Sequence, residues 1–302
     1  EEFEKISEKL DGIYIIEQDI DFSEYTVSDA VIASTFTGKI EGNGHTISNL
    51  TNAALFKQFN GTVKDLNISN FTNKSTGDYV AAFAKNSSNA TFENIVLKGR
   101  NTIGIVVAQD NKNPTFDRIS VKNTNITITG MFAGGLVGVH YGGTIRNVYV
   151  DGSIDITQIG AWGIIGATST VSNAISKVDI VRERNTDNKN RVENGGIVGF
   201  LANVTNLISI DNSRSLGNMR GLENMVPSEF INTTEANIQN RLTKCYECSE
   251  STGVSNVTEN TTGHLETVSN QNLNAQFYKD LGFDEEVCDF TKINEQKCPE
   301  LK

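Results

Sequence analysis

Gly134-Gly135-Leu136-Val137-Gly138-Val139-His140-Tyr141-Gly142-Gly143-Thr144-Ile145-Arg146-Asn147-Val148-Tyr149-Val150 decides the fold, because its second half recurs along most of the chain. Written as Thr, apolar, polar, polar, apolar, polar, apolar, the unit returns as Thr62-Val63-Lys64-Asp65-Leu66-Asn67-Ile68, Thr91-Phe92-Glu93-Asn94-Ile95-Val96-Leu97 and Thr115-Phe116-Asp117-Arg118-Ile119-Ser120-Val121. Further copies begin at Thr46, Thr170, Asn203 and Arg241, about 15 to 40 residues apart, and such a period marks stacked supersecondary units. Before the middle copies sits a second short apolar run: Val80 to Ala84, Ile103 to Val107, Ala133 to Gly138, Gly163 to Gly166 and Gly195 to Gly199. Each run is long enough for a strand and too short for a helix.

Two or three short strands per unit cannot close a core alone, but stacked coils bury their inward side chains against the coils above and below. The expectation is an all-β chain, a β-solenoid, with coils over residues 36–250, an N-terminal cap over 1–35 and a C-terminal cap over 251–302. Phe3, Ile6 and Leu10 at helical spacing predict a short amphipathic cap helix followed by a strand from Ile13 to Phe22. Within the coils Val63, Leu66, Ile68, Ile145, Val148 and Val150 should point inward, each contributing roughly 1.5–3 kcal/mol on burial. The polar position held by Asp65, Asn94, Arg118, Asn147, Asn173, Asn206 and Lys244 belongs at a corner, where Asn tolerates left-handed backbone. Asp211 to Asn240, with Pro227, reads either as an irregular coil or as an excursion.

The Gly-Gly-Leu-Val-Gly run followed by Thr-Ile-Arg-Asn-Val-Tyr-Val resembles the GLUG repeat. Upstream, Asp19 to Ser23, Phe36 to Ile47 and Leu55-Phe56 resemble the β-helical, non-peptidase region of Gram-positive immunoglobulin-A1 zinc metalloproteases and related surface proteins. Leu281-Gly282-Phe283-Asp284 resembles the closing segment of such arrays, although Cys288 stands where that resemblance implies Trp. The resemblance implies a β-helical fold; it says less about function, since such arrays occur on many unrelated extracellular proteins.

The net charge of -11, spread without long acidic runs, disfavours nucleic acid or an anionic membrane as partner. No apolar run of membrane-spanning length is present. If the protein is exported, its signal has been removed. His45, His140 and His264 form no His-Glu-x-x-His arrangement, so no peptidase motif is present. The pairs Asp19/Asp21 and Asp151/Asp155 are the acid–base candidates, with solvated turns as the plainer account. Asp19, Asp21 and Ser23 offer too few oxygens for a calcium loop. Trp162, Tyr141 and Tyr149 could form a sugar-stacking platform or simply pack. The glycine pairs read as tight turns, not phosphate cradles.

Cys245, Cys248, Cys288 and Cys298 cluster where the coils end, an even number that reads as two disulfides stapling the C-terminal cap, with all three pairings open and a four-cysteine zinc site as the competitor. Asn-x-Ser/Thr sites stand at Asn49, Asn60, Asn67, Asn70, Asn73, Asn86, Asn89, Asn125, Asn203, Asn232, Asn256 and Asn260. They point to a glycosylated eukaryotic secretory protein, against an Asn- and Thr-rich bacterial solenoid. By parity Asn60 and Asn89 should face solvent on successive coils, with Asn113 next in the column but barred from modification by Pro114. The reading is therefore a non-enzymatic extracellular or cell-surface protein with no cofactor and no metal. It would act through self-association or through contact with a surface protein or glycan. The alternative is an accessory or glycan-binding region of a larger secreted enzyme.

Overall fold

The computed structural model describes residues 2–72, 81–98, 106–110, 113–128, 132–139, 142–156, 160–162, 170–181, 209–211, 214–215, 219–220, 242–248, 265–296 and 298–302. Among these residues the chain is a β-solenoid built on a 15-stranded sheet. Its main path runs in parallel order through Ile13–Ile15, Lys39–Glu41, Thr62–Ser69, Thr91–Lys98, Thr115–Ile128, Thr144–Ile156, Thr170–Val181, Arg214–Ser215, Cys245–Cys248 and Leu265–Val268. A second, five-stranded parallel sheet holds Ala30–Phe36, Ala54–Phe59, Ala84–Ser87, Val107–Asp110 and Val137–Val139. The apolar runs that precede the repeat unit thus feed this second sheet: Ala81, Ala82, Phe83 and Ala84 are all fully buried. The runs at 163–166 and 195–199 lie outside the described residues.

Register follows the repeat. Thr62, Thr91, Thr115, Thr144 and Thr170 stand opposite one another along the sheet. The column beside them, Ile40, Val63, Phe92, Phe116, Ile145 and Val171, is buried almost completely. Aromatic rings fill the first coils: Phe36 stacks on Phe59 at 5.4 Å and Phe92 on Phe116 at 4.8 Å, with Phe56 and Phe83 joining edge-on or tilted contacts between them. Ring pairs at these separations add to the area they bury.

Two copies fall elsewhere than the repeat count predicts. Thr46 is not the equivalent of Thr62; it pairs with Asn67, and Lys39 pairs with Thr62. The cause is the turn Gly42 to His45, which puts two more residues into this corner than the next coil has between Lys64 and Asn67. Near the other end Ser209, not Asn203, stands opposite Thr170. The segment from Asp211 does contribute to a coil, since Arg214–Ser215 and Met219–Arg220 pair with Thr170–Val181. Residues 221–241, with Pro227, lie outside the described residues, as does Asn206.

The corner position is in the left-handed region in every described copy: Asp65 (φ 52°), Asn94 (52°), Arg118 (54°), Asn147 (53°), Asn173 (49°) and Lys244 (49°). Asparagine adopts this conformation at least cost among residues with a Cβ, and its amide then bridges coils. Asn94 Nδ2 donates to Asp65 Oδ1 at 2.6 Å, Asn147 Nδ2 to Asp117 Oδ1 at 2.9 Å, and Asn173 Nδ2 to Asn147 Oδ1 at 3.2 Å. Just before the Thr column the backbones of successive coils come so close that a Cβ on Gly38 would lie 2.0 Å from the Gly12 carbonyl oxygen.

Both ends differ from the expected caps. The N-terminal helix is a six-residue 3-10 helix, Phe3–Glu8, whose Phe3 and Ile6 are buried. It packs against Ala30–Phe36 of the second sheet, while Ile13–Ile15 is the edge of the main sheet among the described strands and its Ile13 and Ile15 are exposed. At the other end no disulfide staples the described cysteines. The segment from Val268 onward instead lies along the outer flank of the main sheet. There Leu273, Tyr278, Leu281, Phe283 and Ile293 share a second core with Tyr149 and Ile175. The helix Ala275–Asp280 is capped by Asn274, which accepts from Phe277 N, and ends at Gly282 (φ 91°). Cys288–Asp289 pairs antiparallel with Glu300–Leu301, and Lys122 reaches Glu300 at 3.7 Å.

Val148 is 1 % exposed in the middle of this stack, so Val148→Asp should cost several kcal/mol and abolish folding; equal thermal stability of variant and parent would contradict the inward register. Lys244→Asn should raise stability by about 0.5–1 kcal/mol, because Asn accepts the left-handed backbone that Lys is forced into. Denaturant unfolding of the two proteins measures it.

Candidate functional site

The charged side chains of the outer flank pair from coil to coil. Lys64 meets Glu93 at 2.5 Å, Glu93 also pairs with Arg118, and Arg146 meets Asp117 at 2.9 Å. On the second sheet Asp29 pairs with Lys85 and, at 3.5 Å, with Lys57. The Lys85 ammonium lies beside the Asp29 carboxyl and holds it below its usual range. These are exposed or half-exposed pairs, worth little each, and they align neighbouring coils.

The carboxylates singled out as acid–base candidates are occupied by the turns they sit in. Asp19 accepts from Thr46 N at 2.8 Å and lies 3.3 Å from His45 Nδ1; the backbone bond first and the imidazole second lower its pKa. Asp21 accepts from Asn49 Nδ2 and from Ser23 N, both at 2.8 Å, and these bonds lower its pKa too. Both are therefore ionised acceptors that tie the first coil to the second. Ser23 contributes its backbone N–H to Asp21. Among the described residues no His, Cys, Asp or Glu cluster has the makings of a metal site. Asp151 accepts from Tyr149 Oη at 2.7 Å and from Asn123 N. The Asp155 side chain, His140 and His264 lie outside the described residues.

Tyr149 cannot serve a sugar-stacking platform, because the C-terminal segment covers it and leaves it 7 % exposed. Burial, then the nearby Cys298 and Asp151, push its phenol far above the ordinary range. Tyr141 and the side chain of Trp162 lie outside the described residues.

Strand parity separates Cys245 from Cys288 and Cys298. Lys244 occupies the corner, so Cys245 falls in the inward column of Val148 and Ala174, and it is buried in the main core. Cys288 and Cys298 are buried in the second core, across the sheet. Cys245 therefore does not converge with Cys288 and Cys298 on one ion. The side chain of Cys248 lies outside the described residues. Spacing alone could not separate Cys245 from its neighbours; counting parity from the corner residue could have done so.

Of the glycosylation candidates, Asn70 and Asn89 are exposed on left-handed backbone, while Asn49, Asn60, Asn67 and Asn86 are half-buried. Asn67 Nδ2 donates to the Gly44 carbonyl at 2.5 Å, and Asn60 Oδ1 accepts from Gln58 at 2.6 Å. Asn73, Asn203, Asn232, Asn256, Asn260 and the side chain of Asn125 lie outside the described residues.

The feature that distinguishes one place on the surface is at the open first coil. Ile13 and Ile15 are 73 % and 60 % exposed, the only exposed large hydrophobic side chains among the described residues. Beside them a cavity of about 690 Å³ is lined by Phe3, Ile6, Tyr14, Ile16 and Phe22 below a rim that includes Glu17, Asp19 and Asp21.

Burial, and after it the charge of Asp284, push the Cys288 thiol up to about 11 from 9.0. The folded chain thus holds this proton more tightly than the unfolded one, and the associated stability, present below pH 9, is lost as pH rises through 11. At pH 8 native Cys288 should carry about a hundredfold less thiolate than in the unfolded chain and alkylate correspondingly more slowly. Denatured, unreduced protein should titrate the Cys288 thiol.

Comparison with known proteins agrees with this geometry. Residues 2–99 match the M26 IgA1-specific Metallo-endopeptidase N-terminal region, and residues 131–157 match the GLUG motif. No curated protein matches. The fold is similar to that in a crystal structure described as a "putative immunoglobulin A1 protease from Bacteroides ovatus", with a TM-score of 0.52 and 15 % identity over 99 % of this chain and 89 % of that one. The chain is thus similar, over its first third and its central repeat, to the N-terminal region of M26 proteins and to GLUG arrays, and the match is to the region outside the peptidase.

Proposed function

We propose that this chain is a non-enzymatic, extracellular structural or adhesive module that acts by contact, through other copies of itself or through a surface protein or glycan. The observation that carries the reading is the state of its acidic side chains. Asp19, Asp21 and Asp151, the carboxylates that could have served acid–base chemistry, each accept hydrogen bonds from their own or neighbouring coils. A general acid or base needs a carboxyl whose proton is exchanged with substrate; these are spent on the fold. The extracellular setting rests on the similarity to M26 N-terminal regions, since the cysteines no longer argue for it. In a eukaryotic secretory pathway, exposed Asn70 and Asn89 would be the first sites modified.

A second reading is favoured by the same similarity: the chain as an accessory region of a larger secreted protease or carbohydrate-active enzyme, positioning a catalytic domain that it does not itself contain. The complete reading frame separates the two, since a zinc-peptidase domain would select the second.

The purified chain should hydrolyse neither polysaccharides nor immunoglobulin A1, and should be retained on cells or matrix in a saturable way. Turnover that disappears on Asp19→Asn, Asp21→Asn or Asp151→Asn would overturn the contact reading.

A further inference from the structure

We infer that the open edge of the first coil is a strand-addition site for an extended apolar segment flanked by Lys or Arg, contributed by a partner protein. The inference rests on the contact reading above and names its surface. Three independent features coincide there.

The first is an unpaired ladder. Ile13–Ile15 pairs with Lys39–Glu41 on one side, and no described strand pairs with its other side. Lys39 N donates to the Gly12 carbonyl and Ile16 N to the Glu41 carbonyl. By the alternation of a parallel strand, the N–H and C=O groups of Ile13 and Ile15 then point to the open side. The 3-10 helix Phe3–Glu8 packs against Ala30–Phe36 of the second sheet, and among the described residues no strand pairs with the open side of Ile13–Ile15, the commonest protection of an edge.

The second feature is apolar surface on both faces of that edge. Ile13 and Ile15 stand on the outer flank. On the inner side, beside Tyr14 and Ile16, lies the cavity of about 690 Å³. An added strand would continue the solenoid by one rung: its outward side chains would cover the two isoleucines, and its inward side chain would enter the cavity as each coil's inward residue stacks on the last.

The third feature is charge, and it selects the occupant. Residues 1–24 hold nine carboxylates against two lysines, a net -7 within a chain of net -11. Asp11 precedes the edge strand, Glu17, Asp19 and Asp21 follow it, and all four are exposed. The flanks of the incoming strand therefore meet negative potential at both ends. A second copy docking through this same end would bring like charges together; a segment with basic flanks is drawn in.

The probe is a short blocked peptide with a Val-Ile-Val centre and two lysines at each end, titrated against the intact chain by calorimetry. The expected result is saturable binding that weakens with salt. It should fall roughly tenfold or more with Ile15→Lys, with proline at the peptide centre, or with the peptide lysines changed to glutamate. Ile15 is exposed, so its variant should melt like the parent; the proline peptide leaves the protein untouched and tests the same point if it does not. Equal binding of the proline peptide would mean polycation adsorption and would overturn the proposal. So would insensitivity to Ile15→Lys in a folded variant, or a dimer in light scattering that Ile15→Lys dissolves. Absence of peptide binding with absence of turnover sinks this inference alone, whereas turnover sinks the contact reading beneath it.

Discussion

Everything in this molecule depends on stacking in register. Parallel strands in successive coils are held about 4.7–4.9 Å apart by backbone hydrogen bonds, so each residue sits directly over its equivalent in the coil before. A column must then be compatible with itself. Apolar columns satisfy that by burial, as Val63, Phe92, Phe116, Ile145 and Val171 do. Charged columns satisfy it by opposite charges directly across, Lys64 with Glu93 and Asp117 with Arg146, and, where Glu93 stands opposite Asp117, by the diagonal pair Glu93 with Arg118. Corner columns satisfy it by asparagine, whose side chain is both donor and acceptor and can hand a hydrogen bond to its copy.

This constraint also accounts for what lies on the flank. Ser120, Tyr149 and Ile175 stand opposite one another on the outer face, and a column with Tyr and Ile facing outward is anomalous until the C-terminal segment is laid over it. The segment thus fastens several coils at once from the side, which an end cap could not do. Cys288 and Cys298 are buried in that side core, as cysteine commonly is.

The two exposed isoleucines of the first coil are the counterpart. They occupy the Thr column and the charged column next to it, where every later coil carries a hydrophilic residue: Lys39, Thr62, Thr91, Thr115 and Thr144 follow Ile13, and Glu41, Lys64, Glu93, Asp117 and Arg146 follow Ile15. Solenoid ends normally carry polar outer faces for solubility. Apolar residues where the repeat is otherwise polar mark a surface suited to being covered by a further strand.

The repeat was legible from the sequence because stacking leaves a periodic imprint: Thr-apolar-polar-polar-apolar in one register determined the solenoid, the inward residues and the left-handed corner, and the last was visible because five of its seven occupants are Asn or Asp. Loop insertions leave no such imprint, so the two extra residues of Gly42 to His45, which move Thr46 out of the Thr column, emerged only from strand pairing. What the tertiary structure alone decided is where non-repeating segments go. Phe3 and Ile6 were apolar at helical spacing whichever sheet they covered, and Leu273 to Cys298 were an apolar, cysteine-bearing tail whether it closed the end or lay along the side. Such segments are placed by long-range packing on particular exposed columns, and no local period encodes which column that is. The same reason separated Cys245 from Cys288 and Cys298: neighbours in the count of cysteines, they face opposite sides of one sheet.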